Sequence, residues 1–296
     1  MPFCNRINIA DLADCASLPE KALHETDSGT SGTDGAGKLD SRHPWPQLVE
    51  SMLASSAAWM GIVREKGCLA VLPLDFLNLL GHGPDRATLL QVEGILAAQE
   101  LERLHSFTHA KRQGEWLGGR LAAKCAVGQF CGIDDSAILP AAWSIANDAH
   151  GRPFLNQNHS LPSCADIGAT PHLSISHSGS FAAALAAAAP CGLDIQKIEP
   201  KLLRLQARFA RPPELALGEK YDGLIWLGML WAAKEAVKKC RYADQPIFME
   251  GVQVIAHRGC ATGLQGAVLS CHLEETLEIV AVQLRVKDGY ALAVAL

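Results

Sequence analysis

The chain has 296 residues, of which 49 % are apolar and 19 % charged, with a formal net charge of −5. That is an ordinary globular composition long enough for two domains, and the negative balance argues against general nucleic-acid binding, which needs a basic domain. The ten cysteines include no C-x-x-C pair, the usual mark of a structural zinc site, and read as scattered thiols of a reducing cytoplasm.

The amino terminus, Met1-Pro2-Phe3-Cys4-Asn5-Arg6, is followed by no apolar run, so no secretory leader is expected. Residues 20–44 are rich in Gly, Ser, Thr, Asp and Lys and poor in large apolar side chains. Burial cannot offset their ordering entropy, so residues 1–44 are expected to be a largely disordered extension. Asp85 to Phe107 reads as a helix, with Asp85 as its cap and Leu89, Val92, Leu96, Leu101 and Leu104 near helical spacing. A second helix is predicted from Lys111 to Phe130, with Trp116, Leu117, Leu121 and Val127 inward and Gly132 beyond its end.

Gly151-Arg152-Pro153-Phe154 reads as a turn, and His172 to Ser178 alternates at period two as a strand does. Phe181 to Ala189 and Gly192 to Ile195 suit a hairpin, although alanine propensity alone favours a helix there. The same stretch is broken by Pro190 and Gly192 and is too short to span a bilayer, so no membrane association is expected. Pro200 fits the first turn of a helix reaching Arg211, with Pro212-Pro213 stopping it. Leu224 to Cys240 reads as an apolar helix. Val252 to Ile255, Ala267 to Leu273, Ile279 to Arg285 and Tyr290 to Leu296 alternate as strands of an antiparallel sheet. Ala122-Ala123-Lys124-Cys125-Ala126-Val127 is echoed by Ala232-Ala233-Lys234-Glu235-Ala236-Val237. The echo implies two similar halves with a site in the cleft between them, and only the second copy carries the glutamate.

Two segments carry the chemistry. Gly192-Leu193-Asp194-Ile195-Gln196 ends a strand with one carboxylate, and Trp231-Ala232-Ala233-Lys234-Glu235-Ala236-Val237-Lys238-Lys239 places another on a helix among lysines. Magnesium takes one or two protein carboxylates and fills its other positions with water and phosphate oxygens, so the pattern points to phosphate chemistry. Taken singly, a strand-end aspartate usually caps a turn, and a mid-helix glutamate usually pairs with a lysine such as Lys238 or Lys239. Ser176-His177 ends a strand in a Ser/Gly turn able to hold an anion, although a lone turn histidine more often bonds backbone. Lys197, Lys201, Arg204, Arg208 and Arg211 recur at near-helical spacing beside Leu202, Leu205 and Phe209. They form either a solvated face or a docking stripe for an acidic partner.

In order and spacing these segments resemble the surfactin-synthetase-type 4′-phosphopantetheinyl transferases, whose signature pair reads G-[VIL]-D-[IV]-E and W-x-x-K-E-[AS]-x-x-K. Glu100, Arg103, Phe107, Arg112, Glu115, Trp116, Leu117, Gly119 and Arg120 resemble the family's amino-half helices. Gly151-Arg152-Pro153 resembles its G-[KR]-P turn, and Ser174 to Ser178 its [NS]-[IL]-S-H-[ST] strand. The resemblance implies an α+β fold of two similar halves packed as a pseudo-dimer, assigned to residues 45–170 and 171–296, with coenzyme A between them. It implies a cytoplasmic monomer that transfers the 4′-phosphopantetheine arm of coenzyme A to a serine of an apo acyl or peptidyl carrier protein, releasing adenosine 3′,5′-bisphosphate.

By position, the resemblance makes Asp194 and Glu235 magnesium ligands, with Glu235 also the base for the carrier serine. Lys239 would stabilise the pyrophosphate, and Arg152, Ser176, His177 and Arg112 would contact the nucleotide. Gln196 stands where many members have a second carboxylate, and its carbonyl or a water would take that metal position. Two other readings stay open from the residues: a magnesium-dependent phosphodiester hydrolase, and a homologue that binds carrier proteins without catalysis.

Overall fold

In a computed structural model of the chain, the described residues are 44–57, 59, 67–74, 94–133, 140–156, 170–242, 249, 251–262 and 266–296. The expected extension over 1–44, apart from the helical Pro44, and the expected cap Asp85 lie outside them.

The first sheet is built from α1 (Pro44–Ala57), β1 (Gly67–Pro73), α2 (Ala98–His105), α3 (Ala110–Cys131), β2 (Ser144–Asn147), β3 (Pro153–Asn156), β4 (His172–Ser178) and β5 (Phe181–Ala187). Its strand order is β1-β5-β4-β3-β2. The second takes β6 (Gly192–Lys197), α4 (Lys201–Leu205), α5 (Pro212–Leu217), α6 (Gly223–Arg241), β7 (Val252–Gly259), β8 (Ala267–Leu273), β9 (Ile279–Lys287) and β10 (Tyr290–Ala295). Its order is β6-β10-β9-β8-β7. In each, the first strand pairs with the last, and the others run back in sequence to the second. The two halves therefore share one topology within an α+β fold.

Each sheet buries both faces near its first strand. Leu69, Val71, Ala183 and Leu185 of the first sheet pack against Leu193, Ile195, Leu292 and Val294 of the second. Ala70, Leu72, Ala184 and Ala186 turn the other way, onto Leu117, Leu121 and Ala122 of α3. Val282, Leu284, Ala291 and Ala293 likewise pack against Leu230, Ala233 and Val237 of α6. This double burial is why the alanine-rich run 181–187 is a strand. A helix would bury one stripe of it, whereas a central strand buries every side chain, and packing overrides propensity.

The hairpin expected between 181 and 195 is not formed. β5 instead pairs with β4 across Gly179, whose φ of +56° suits glycine, and β6 pairs with β10. The sheets thus separate between Ala187 and Gly192, so the strands of 171–187 belong to the first sheet although the expected halves divide at 170/171. Pro212-Pro213 begins α5 instead of only stopping the preceding helix. The chain from 201 to 208 is a short helix followed by a 3₁₀ turn, Gln206–Arg208. Cys191, Cys240 and Cys271 are free thiols, but Cys131 is disulfide-bonded, against the expectation of thiols throughout.

The sequence echo has a physical counterpart. Lys124 Nζ on α3 meets Glu100 Oε2 at 2.9 Å, with side chains 0 % and 3 % exposed. Lys234 Nζ on α6 meets Glu214 Oε1 at 2.7 Å, with side chains 1 % and 0 % exposed. Each glutamate occupies the third position of its helix and accepts the N–H three residues earlier, from Ala97 or Arg211. Each also accepts a strand N–H, from Ile145 or Val254. Burial pushes both lysine pKa values down, opposed by the glutamate beside each. One helix start, one long helix and one strand are tied together in the same way in both halves.

Candidate active site

A single glycine lets β6 and α6 meet. A Cβ on Gly192 would lie 1.8 Å from the Ala236 carbonyl oxygen and 2.9 Å from the Cys240 nitrogen, so any other residue would push the helix off the strand. Period two then directs Gly192, Asp194 and Gln196 toward α6, while Leu193 and Ile195 enter the core between the sheets.

Asp194 is buried. Its Oδ1 accepts from Lys239 Nζ and from Ser176 Oγ, both at 2.8 Å. Its Oδ2 is buried and has no hydrogen-bond partner. Lys239 Nζ also donates to the carbonyls of Leu193 at 2.9 Å and Ile175 at 3.4 Å. Glu235 lies one turn before Lys239 on α6, and its Oε1 accepts from Lys238 Nζ at 2.6 Å. The ordinary helical pairing foreseen for Glu235 is therefore present, but Asp194 caps no turn. Gln196 donates its side-chain amide to the Lys197 carbonyl at 2.6 Å. Among the described residues no cluster of three or more His, Cys, Asp or Glu side chains is arranged for a metal. Two carboxylates are nevertheless the usual protein share for magnesium, and a buried carboxylate oxygen without a donor is what a cation would satisfy.

Beside this lies a cavity of about 660 Å³ framed by α2, α3, the β2–β3 hairpin and β4, and lined by Arg103, Arg112, Trp116, Arg120, Asn147 and His177 among others. The Arg103 guanidinium sits 4.9 Å over the Phe107 ring, and that of Arg120 4.9 Å over the Trp116 ring. Arg120 donates to Asn147 Oδ1, and Asn147 in turn donates to the Gly151 carbonyl at 2.6 Å, so the hairpin holds the guanidinium. Arg120 Nε is buried without a partner, and burial pushes its pKa down. His177 Nδ1 lies 3.8 Å from Glu115 Oε2. Burial holds the His177 pKa below the ordinary histidine value, with Glu115 opposing.

Arg152 sits outside this cavity, in an adjoining recess of about 80 Å³ that Lys239 also lines. Its backbone N–H is fixed by Asp148 Oδ1. Ile175 lines both spaces. Strand β4 is therefore the divider, with Ile175 and His177 turned to the cavity and Ser176 turned to Asp194.

The structure thus joins Asp194, Lys239 and Ser176 by direct contact, and carries Glu235 and Gln196 on the same two elements. It sets His177 and Arg112 on the cavity and Arg152 in the recess. Sequence reasoning missed Arg103 and Arg120 as cavity residues. Their signal was an aromatic at helical spacing from each arginine, Phe107 and Trp116. The basic stripe does not run along one helical face, because the 3₁₀ turn interrupts it; Lys201 pairs with Glu199 and Arg211 with Glu274.

The family model of the 4′-phosphopantetheinyl transferase superfamily matches residues 190–295. A 4′-phosphopantetheinyl transferase of Bacillus subtilis is 26 % identical over 147 residues, which are 49 % of this chain and 59 % of that relative's length. A holo-[acyl-carrier-protein] synthase of Lactococcus lactis is 38 % identical over 88 residues, 29 % of this chain and 68 % of that protein. The crystal structure of a Plasmodium yoelii holo-ACP-synthase is 19 % identical and covers 42 % of this chain and 92 % of its own, with a TM-score of 0.35.

Proposed function

The chain belongs to the 4′-phosphopantetheinyl transferase superfamily, and on that premise we propose that it transfers the 4′-phosphopantetheine arm of coenzyme A to a serine of an apo carrier protein. The observation that carries the reading is Asp194 Oδ2, a buried carboxylate oxygen with no donor, beside Lys239 and next to a cavity lined by three arginines and a histidine.

Asp194 and Glu235 would hold a magnesium ion, which when bound neutralises charge on the pyrophosphate. Gln196, on the same strand face, would reach that ion directly or through water. Arg103, Arg112, Arg120 and His177 would hold the nucleotide and its 3′-phosphate, with Arg152 in the recess between cavity and carboxylates. Guanidinium groups suit this because their forked donors match phosphate oxygens. Glu235 would accept the proton of the carrier serine as that oxygen bonds to the β-phosphorus. The bond to the departing adenosine 3′,5′-bisphosphate breaks as the new one forms, and the Lys239 ammonium offsets charge on the bridging oxygens. Phosphoryl-type displacement depends mainly on such positioning and charge neutralisation.

Such a protein would work in the cytoplasm, where coenzyme A and carriers meet, and its two halves would serve as a monomer. Among the described residues no helix is long and apolar enough to cross a membrane. The test is the intact mass of an apo carrier after incubation with this protein, coenzyme A and magnesium. A gain of one phosphopantetheine supports the reading. Cleavage of coenzyme A with an unmodified carrier would favour a hydrolase, and a carrier bound but unmodified would favour a non-catalytic homologue.

A further inference from the structure

Among the described residues β6 is an edge strand of the second sheet, paired only with β10. An edge presents a row of unpaired N–H groups, and here the N–H groups of Leu193 and Ile195 lie in the interior, where each must find an acceptor. The first sheet supplies them. Ser174 Oγ accepts the Leu193 N–H at 2.9 Å, Ser176 Oγ the Ile195 N–H at 3.2 Å, and Ser178 Oγ the Lys197 N–H at 3.0 Å. All three bonds span a constant separation of 19 residues. Alternate serines of β4 therefore replace the missing neighbour strand and fix the register of one half on the other.

Only the middle rung does more. A hydroxyl has one proton to donate besides the lone pairs that accept, and Ser176 gives that proton to Asp194 Oδ1 at 2.8 Å. Oδ1 also receives Lys239 Nζ, so it is held from two sides. The carboxylate cannot rotate without breaking both bonds, and Oδ2 is left as the oxygen with no donor.

We propose that Ser176 is a positioning residue that orients the Asp194 carboxylate for a divalent cation, and not a contact to the nucleotide. The inference rests on the reading of Asp194 as a metal ligand. The physical basis is general: partners that fix a metal-ligating carboxylate change metal affinity when removed, commonly by 10–100-fold. The ladder supplies its own control. Ser174 makes the same kind of backbone bond to the same strand without touching a carboxylate. A purely structural role makes the two serines equivalent, whereas a positioning role separates them.

The test is a titration of the purified full-length protein with Mn²⁺, read by the electron paramagnetic resonance of the free ion, for the wild type and for Ser176→Ala, Ser176→Thr and Ser174→Ala. Thermal unfolding is measured alongside. The expected result is an affinity about tenfold weaker in Ser176→Ala. Ser176→Thr, which keeps the hydroxyl and suits a strand, should recover it. Ser174→Ala should lower the melting temperature comparably and bind Mn²⁺ as the wild type does. Unchanged Mn²⁺ affinity in Ser176→Ala, or an equal loss in Ser174→Ala, overturns the inference and leaves the transferase reading standing. A Michaelis constant for coenzyme A that rises in Ser176→Ala with Mn²⁺ binding intact also overturns it, and places Ser176 on the nucleotide. A wild type that binds no Mn²⁺, with or without coenzyme A, overturns the metal assignment and this inference together.

Discussion

Ala70 lies between Leu69 and Val71 on β1 and faces α3, whereas Asp194 lies between Leu193 and Ile195 on β6 and faces α6. Cys125 and Gln129 of α3, bonded to each other at 3.3 Å, stand where the echoed segment of α6 has Glu235 and Lys239. The frame around these positions is the same in both halves, down to the buried lysine, its glutamate and the two backbone N–H groups that glutamate holds. Strand order and brace are thus requirements of the fold, because both copies keep them. The carboxylates and Lys239 are not, because the first copy packs with alanine, cysteine and glutamine in their place. The first half contributes instead the arginine-lined cavity and the serines of β4. A cleft between unlike copies can give each its own task, one gripping a ligand and the other acting on it.

The comparison breaks most directly at the acidic positions. Asp194→Ala and Glu235→Ala should each lower transfer to a carrier by roughly 10²–10³-fold or more, the scale of losing one charge-stabilising group. Cys125→Ala and Gln129→Ala should leave the rate at wild type. The readout is carrier mass against time at saturating coenzyme A and magnesium. Wild-type turnover in Asp194→Ala, or comparable loss in Gln129→Ala, would place the chemistry outside the second copy.

The braces should be alike where the sites differ. Lys124→Met and Lys234→Met each leave a buried carboxylate without its cation, which typically costs about 3–5 kcal/mol. Urea unfolding should show similar losses for the two variants. Adding Glu100→Leu or Glu214→Leu should recover much of each, since an apolar pair can replace a buried ion pair. A large loss in one half with none in the other would mean that the echo is not a shared structural device.

His177 tests the gripping half. His177→Ala should weaken coenzyme A binding about tenfold, and binding of the 3′-dephosphorylated analogue less, through loss of a charge-assisted contact. Its pH dependence has a definite sign. Burial holds the folded-state pKa below the unfolded value of about 6.5, so the unfolded chain binds the proton more readily. Stability is fully present above about pH 6.5 and is lost as pH falls from there toward the depressed folded pKa. His177→Gln should flatten that acid limb in chemical denaturation. Equal loss of affinity for both ligands would move the histidine off the 3′-phosphate.

Much of this was legible in the sequence because local pattern and global fold agree. The alternation of the four carboxy-terminal strands, the apolar helix read from Leu224 to Cys240 and carrying Glu235, and Gly132 at a helix end with φ of +64° are local signals that packing left intact. Alanines 182–184 and 186–187 left strand and helix both open because propensity belongs to the isolated chain, and two-sided burial exists only once both sheets are in place. The strand pairing does not follow the expected division at 170/171, for a related reason. β4 and β5 are close in sequence to β6, but pair with β1 and β3, and such long-range pairing leaves no local trace. The resemblance gave Ser176 a place on the nucleotide, and its bond to Asp194 Oδ1 left no trace in the sequence, because period two shows which residues share a face but not what that face meets. The Ser174, Ser176 and Ser178 alternation was visible, but its partners sit on another sheet.

Gln196 gives the smallest expected effect and the finest test of how the second copy differs from the first. It shares the α6-facing side of β6 with Asp194, and the matching face of β1 carries Leu72. Gln196→Glu adds a charged oxygen ligand two residues from Asp194, which should tighten magnesium binding. The gain is limited by what the glutamine now does. Its amide donates to the Lys197 carbonyl at 2.6 Å, and a carboxylate would lose that bond and face the carbonyl oxygen instead, a cost of about 1 kcal/mol. The two terms oppose, so the magnesium concentration for half-maximal rate should fall only a few-fold. If that concentration is unchanged or rises, the bond to Lys197 outweighs the added charge. Gln196 then belongs with the frame, as Leu72 does, and the chemistry of the second copy narrows to Asp194, Glu235 and Lys239.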